Sequence, residues 1–163
     1  SYNTELKVNL SDSNKDTLRN EDGIVYTYIS EPLKISYNNK EFILYICDTS
    51  MIKDIANVNV RNEVLESDTI ILPIEFQKRY NMNIGGTYGF TINDKVYKLK
   101  IKDFIDSPNT YISYASDIRG IDVLCDNVLI KNVKNDYNVS DLLNKLDGDN
   151  YIVVNGEKES YVS

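Results

Sequence analysis

The stretch from Asp68 to Asp106 constrains the fold most, because its pattern changes from strand to helix to hairpin within a few residues. The apolar run 69–72 predicts a strand, and Pro73 can occupy the first turn of a helix, where its missing N–H is not needed. Phe76 and Tyr80 lie four residues apart, which places both on one face of a helix of about two turns. The remaining polar positions of this helix are expected to face solvent: Glu75, Gln77, Lys78 and Arg79.

A glycine pair and a hairpin follow this helix. Gly85-Gly86 suits a positive φ and a sharp reversal at the helix exit. Bulky and polar residues then alternate on both sides of Asn93-Asp94, which predicts a hairpin with a two-residue turn. A turn of that length places Phe90 opposite Tyr97, so the register brings the bulky residues to one face of the hairpin.

This order of strand, short helix, apolar-x-apolar-Gly and hairpin resembles the extracytoplasmic domain of MacB/FtsX-type ABC-transporter permeases, a family whose inserted lobe has a similar segment. The residues that carry the resemblance are Ile70 to Pro73, Phe76, Tyr80, Met82, Ile84, Gly85 and the strand from Lys98 to Phe104.

The resemblance implies a non-catalytic domain on the extracytoplasmic face of the cell membrane, without a cofactor. Its implied partners are the transmembrane part of the same permease, a separate cytoplasmic subunit that hydrolyses ATP, and a peptide, lipid or lipoprotein substrate. Its implied role is in substrate access, export or mechanotransmission.

Strand and helix patterns recur at both ends of the chain. Residues 4–10 and 151–154 alternate or are apolar as in strands, and each strand stands beside a short predicted helix. We expect Ser11 or Asp12 to start the first of these helices and Ser140 to cap the second. Such strand-helix-strand units commonly form one open sheet with its helices on one side.

The middle of the chain is richer in strand signals. Asn38-Asn39 tolerates the positive φ values of a tight turn and predicts a hairpin over 33–46. The stretch 42–47 has no polar side chain, which predicts a central strand covered on both faces. We therefore predict an α+β fold, in which a discontinuous lobe of βαβ units, residues 1–39 and 123–163, carries an inserted β-rich lobe, residues 40–122.

Charge and composition exclude several functions. The chain has 163 residues and a formal net charge of −7, which argues against nucleic acid and against an anionic membrane surface. It contains no His, which excludes Ser/His/Asp and Cys/His nucleophilic sites. A Ser–Lys dyad or a carboxylate pair stays open, because such partners meet in space rather than in sequence. The sequence singles out no such pair, so no residue is predicted to be catalytic.

Metal sites are not expected either. Asp12-x-Asn14-x-Asp16 begins like a calcium loop, but the required Gly and bidentate Glu are missing. Cys47 and Cys125 lack metal-ligand spacing and are expected to be two separate buried thiols, with a disulfide as the open alternative. The row of Lys95, Lys98, Lys100 and Lys102 predicts a solvated strand face.

No apolar run approaches the roughly 20 residues that span a bilayer, and no charged-then-apolar signal peptide begins the chain. If the chain belongs to a membrane protein, its anchors are expected outside these residues. Two other functions remain open. The segment around Pro73 also resembles AbrB-type DNA-binding or assembly modules, and a secreted hydrolase or adhesin domain would fit the same composition.

Overall fold

The computed structural model describes residues 3–8, 10–56, 58–106, 111–134, 136–154 and 157–162. The described strands are β1 (Asn3–Lys7), β2 (Ile24–Ile29), β3 (Leu33–Tyr37), β4 (Lys40–Ile46), β5 (Thr69–Pro73), β6 (Thr87–Ile92), β7 (Lys95–Ile105), β8 (Ile112–Ala115), β9 (Asn127–Asn132), β10 (Asp149–Val154) and β11 (Glu157–Val162). The α-helices are α1 (Asp12–Arg19), α2 (Ile52–Ala56), α3 (Ile74–Tyr80) and α4 (Val139–Lys145), and a 3-10 turn spans Thr49–Met51.

Both ends of the chain meet in one antiparallel sheet, whose strand order is β11-β10-β1-β9-β2. The first strand therefore lies beside the strand predicted at 151–154, which confirms that the two ends share one sheet. The two strand-helix-strand units interleave, because β9 separates β1 from β2 and β1 separates β9 from β10. The edge strand β11 was not predicted.

The two faces of this sheet bury different partners. Leu6, Val128 and Ile130 pack with apolar residues of α1 and α4, so both helices cover one face, as predicted. Ile29 and Leu129 point to the opposite face and share a core with α2 and with barrel residues. This alternation of side chains along β9 is what allows one sheet to join two layers.

The helix starts follow local capping chemistry. Ser11 accepts a hydrogen bond from the Asn14 N–H at 3.1 Å and caps α1, as predicted. The prediction for α4 was wrong by two residues: Asn138 is the cap and accepts from the Ser140 N–H at 2.9 Å. Asn caps a helix as well as Ser does, so sequence alone did not distinguish the two positions.

The middle of the chain forms a closed barrel with strand order β3-β4-β8-β5-β7-β6. The predicted hairpins are confirmed, since Asn38-Asn39 and Asn93-Asp94 all have positive φ and Phe90 pairs with Tyr97. Closure itself was not predicted, because it depends on β3 pairing with β6 and on the parallel pairs β4–β8 and β5–β7.

The barrel begins earlier than the predicted inserted lobe. The predicted boundary after Asn39 falls inside the hairpin β3–β4, so β3 lies in the barrel and not in the terminal lobe. The prediction for β4 was right in part: it has a strand on each side, and Tyr45 is covered by the shared core, but Ile43 is exposed on the outer barrel face. No helix in the described ranges is both long and apolar enough to cross a bilayer.

Candidate functional site

The helix α3 lies at the junction that the sequence singled out. Pro73 is the last residue of β5 and stands at the N-cap position with φ −58°, one residue before the helix rather than inside its first turn. Because proline fixes φ near this value and has no N–H to leave unpaired, it suits the transition from strand to helix.

Phe76 and Tyr80 lie on one face of α3, as predicted, and this face packs onto the barrel core. Phe76 is 1% exposed, and its ring centroid lies 4.6 Å from that of Phe42 and 5.7 Å from that of Tyr80. Tyr80 also meets Tyr37 edge to face at 5.0 Å. These aromatic contacts hold the helix against the hairpin β3–β4 and fix which of its polar side chains face outward.

The exit from α3 involves two separate turns. The helix ends at Asn81, whose φ of 54° is left-handed. The prediction that the chain leaves the helix at the glycine pair was therefore wrong. Met82 then inserts into the barrel core, whereas Ile84 is 59% exposed and contributes little packing.

The predicted positive φ is confirmed at Gly85, at +86°. Its N–H donates to the carbonyl oxygen of Ile101 at 2.8 Å, which ties this turn to β7. Gly86 is needed for a different reason, since a Cβ there would lie 2.9 Å from the ring of Tyr88.

A cleft of about 350 Å³ opens beside α3. Its lining comes from the helix, the start of β4 and the residue before β8: Lys40, Glu75, Phe76, Lys78, Arg79, Tyr80 and Tyr111. The Lys40 ammonium lies 4.2 Å from the centre of the Tyr111 ring, and the Arg79 guanidinium lies 5.6 Å from that of Tyr80. The cleft thus combines aromatic walls with three cations on a chain whose net charge is negative.

Glu75 does not face solvent as the helical pattern predicted. It is half-buried, and its Oε2 atom is buried without a hydrogen-bond partner among the described residues. Lys40 and Tyr111 were not associated with α3 from the sequence, because they reach the cleft only through the closure of the barrel.

A second cleft of about 320 Å³ lies between the connection before β5 and the outer face of β7. Its rim exposes Val64 and Ile84, and Lys102 pairs with Glu63 at 3.4 Å. The predicted row of lysines on β7 is exposed, as expected for a solvated face. This cleft has fewer free charges than the one beside α3.

Asp68 and Arg119 form a charged junction where β5 begins. The Arg119 N–H donates to Asp68 Oδ1 at 2.9 Å, and its Nε donates to Oδ2 at 2.6 Å. Burial by itself would raise the pKa of Asp68, but these two hydrogen bonds and the charge of Arg119 outweigh it and hold the pKa below its usual value.

Both cysteines are free thiols. Burial raises the pKa of Cys47 to about 12, with smaller contributions from Cys125 and Asp48. Cys125 is half-buried, and its Sγ lies 3.3 Å from the carbonyl oxygen of Ile46. Burial also raises the pKa of Cys125, so neither thiol is activated as a nucleophile. Within the described ranges, no three His, Cys, Asp or Glu residues are grouped to hold a metal ion.

No family model and no curated protein matches the sequence. Solved structures do match its fold. The periplasmic region of MacB from Actinobacillus actinomycetemcomitans aligns with a TM-score of 0.52 and 16% identity, over 87% of this chain and 79% of that chain. A domain of a putative permease protein from Porphyromonas gingivalis aligns with a TM-score of 0.51 and 10% identity, over 86% and 77%.

The extracellular domain of the ABC-type transporter YknZ from Gram-positive bacteria aligns with a TM-score of 0.47 and 12% identity, over 83% of this chain and 86% of that chain. At such identities the likeness to the first two structures establishes the fold alone. The chain has the α+β fold of MacB-type periplasmic domains, and the fold expected from the resemblance is confirmed.

Proposed function

We propose that this chain is a non-catalytic extracytoplasmic domain of an ABC-transporter permease. The observation that carries the proposal is the pairing of β1 with β10 in a fold shared with the periplasmic region of MacB. A domain inserted between two neighbouring membrane helices needs both of its ends on one structural unit, and this sheet supplies that unit.

The proposed partners are the transmembrane part of the same protein and a cytoplasmic subunit that hydrolyses ATP. The domain contributes to substrate access and export or passes a mechanical signal across the membrane, and peptides, lipids and lipoproteins are the substrate candidates. An FtsX-like permease of a Gram-positive bacterium is the membrane setting that we propose.

The division into lobes belongs to the same proposal. We propose that the terminal lobe is the five-stranded sheet with α1 and α4, and that the inserted lobe is the barrel, beginning at β3 rather than after Asn39. The shared core of Ile29 and Leu129 with Tyr45, Ile71 and Ile105 couples the two lobes, because a movement of either one has to displace packed side chains.

The experiment that tests the proposal is affinity purification of the full-length parent protein in mild detergent. An ATP-binding subunit should co-purify, and it should still do so when residues 3–162 are replaced by a short Gly/Ser linker, because its contact lies on the other side of the membrane. A parent protein without apolar helices of roughly 20 residues on both sides of this domain would contradict the proposal, as would an ATPase retained only through this domain.

A further inference from the structure

The charged residues of the cleft beside α3 form no salt bridge with any residue that the structure describes. The salt bridges between described residues are Asp16–Arg19, Glu63–Lys102, Asp68–Arg119 and Glu21–Lys145, and none of them involves a cleft residue. Glu75 and Arg79 stand four apart on one helix, a spacing at which opposite charges commonly pair. Here Arg79 instead lies near the ring of Tyr80, and Glu75 makes no salt bridge within the described ranges.

A ligand that fits this cleft must satisfy two opposite requirements. It must bring an acidic group to Lys78 and Arg79, because these exposed cations have no carboxylate partner among the described residues. It must also place a hydrogen-bond donor beside the Glu75 carboxylate, because this half-buried negative charge lines the cleft and has no salt-bridge partner among the described residues. A simple carboxylate such as benzoate or an ionised fatty acid supplies no donor beside its acidic group, and it would face the carboxylate of Glu75.

We propose that this cleft binds an acidic peptide segment in which a carboxylate side chain adjoins an apolar or aromatic residue. The backbone N–H of the segment donates to Glu75, its carboxylate lies between Lys78 and Arg79, and its apolar side chain packs on Tyr80 and Tyr111. The volume of about 350 Å³ accommodates one or two residues, since small-ligand pockets begin at about 300 Å³.

This inference goes beyond the permease proposal, because the site is built by α3 and the barrel alone. It would hold for this chain in any protein, and it is tested on the chain by itself. Its failure would leave the proposed membrane location untouched.

The first measurement is a titration of the isotopically labelled chain followed by amide chemical shifts, with calorimetry for affinity. The probes are acetyl-Phe-Glu-amide, its neutral analogue acetyl-Phe-Gln-amide, benzoate and inorganic phosphate. The acidic dipeptide should shift amides of α3 and Tyr111 and should bind about tenfold more tightly than the neutral one, which lacks the charge-assisted hydrogen bonds. Binding should weaken as salt increases.

Variants make the test specific. The double variant Lys78→Gln/Arg79→Gln should lower the affinity for the acidic dipeptide by about tenfold or more. Lys98→Gln, a Lys-to-Gln change at an exposed strand position, should alter that affinity by less than about twofold. Glu75→Gln should weaken the dipeptide but strengthen benzoate, because it removes the repulsive charge. All four substituted positions are half-exposed or exposed, so the variants are expected to fold.

Three results would overturn the inference. The acidic and neutral dipeptides could bind with equal affinity, or phosphate could bind at the same residues as tightly as the acidic dipeptide. The third result is that millimolar acidic dipeptide causes no chemical-shift change at the amides of α3. Glu75→Gln changing dipeptide and benzoate binding in the same direction would also contradict the assigned role of its carboxylate.

Discussion

Asn14 and Asp147 exchange two hydrogen bonds although they are 133 residues apart in the chain. The Asn14 side-chain amide donates to the Asp147 carbonyl at 3.0 Å, and the Asp147 N–H donates to Asn14 Oδ1 at 2.8 Å. Asn14 has no exposed surface, so this reciprocal pair joins α1 to the turn after α4 inside the terminal lobe.

Asn14→Ala should therefore destabilise the chain by about 2 to 4 kcal/mol, because it leaves two backbone groups of Asp147 without these partners. Urea unfolding at pH 7 measures the change. Asn144→Ala, an exposed position on α4, is the matched control and should alter the free energy of unfolding by less than about 0.5 kcal/mol. A similar small effect at Asn14 would show that the pair is not stabilising.

Gly85 and Gly86 should respond differently to added side chains. Gly85→Val should cost about 1 to 3 kcal/mol through backbone strain, since φ is +86° and the space around a Cβ is open. Gly86→Ala should be destabilising because its Cβ would meet the Tyr88 ring.

A double-mutant cycle separates the two causes. Adding Tyr88→Ala should relieve most of the cost of Gly86→Ala and should leave the cost of Gly85→Val unchanged. Equal relief at both positions would mean that Gly85 is also a steric site, contrary to its geometry.

The pair Asp68–Arg119 should contribute stability in a defined pH range. The folded pKa of Asp68 is below its unfolded value of about 3.9. A depressed pKa stabilises the folded state above the unfolded pKa, and this contribution disappears as pH falls through the folded pKa. Asp68→Asn tolerates the positive φ at this position and should therefore lower stability at pH 7, with the difference shrinking below about pH 4.

The control for this pH dependence is Asp94→Asn, another aspartate with a positive φ, which makes no salt bridge within the described part of the chain. Comparison with this variant separates the loss of the Arg119 contacts from the effect of placing Asn at a left-handed backbone position. A difference at position 68 that grows as pH falls would have the wrong sign for a carboxylate stabilised by Arg119.

The two thiols should differ in reactivity. Cys47 is nearly fully buried, and burial raises its pKa to about 12, so it is almost entirely in the unreactive thiol form at pH 8. In single-cysteine variants, iodoacetamide should modify Cys125 faster than Cys47 in native buffer, and the difference should vanish in urea. Modification of Cys47 at the rate of a free thiol would contradict its burial.

The predictable parts of the fold were those with local causes. The turn chemistry of Asn38-Asn39 and Asn93-Asp94 defined both hairpins and their register, and the pattern around Phe76 defined α3. Closure of the barrel depends on pairs such as Ile35 with Ile92, whose strands carry no local signal for each other. Sequence therefore predicted a β-rich lobe without its topology.

Only the part of the cleft that α3 contributes could be predicted from the sequence, because the rest depends on closure of the barrel. The polar positions of α3 are evident from helical spacing, but Lys40 and Tyr111 come from distant segments. The half-burial of Glu75 depends on how α3 packs against the barrel, which helical spacing alone does not show. In the sequence, Asn14 stands only in a degenerate calcium-loop pattern, and nothing local indicates that its amide pairs with the backbone of Asp147.

The proposed location of this domain on the extracytoplasmic side of the membrane can be measured directly in the full-length parent protein. With every native cysteine of the parent protein replaced by Ser, including Cys47 and Cys125, a single Leu124→Cys variant offers a thiol at a side chain that is 77% exposed. Intact cells are treated with a membrane-impermeant maleimide and compared with lysed cells. The permease proposal predicts nearly equal labelling in the two samples, whereas labelling that appears only after lysis would place the domain in the cytoplasm and contradict it.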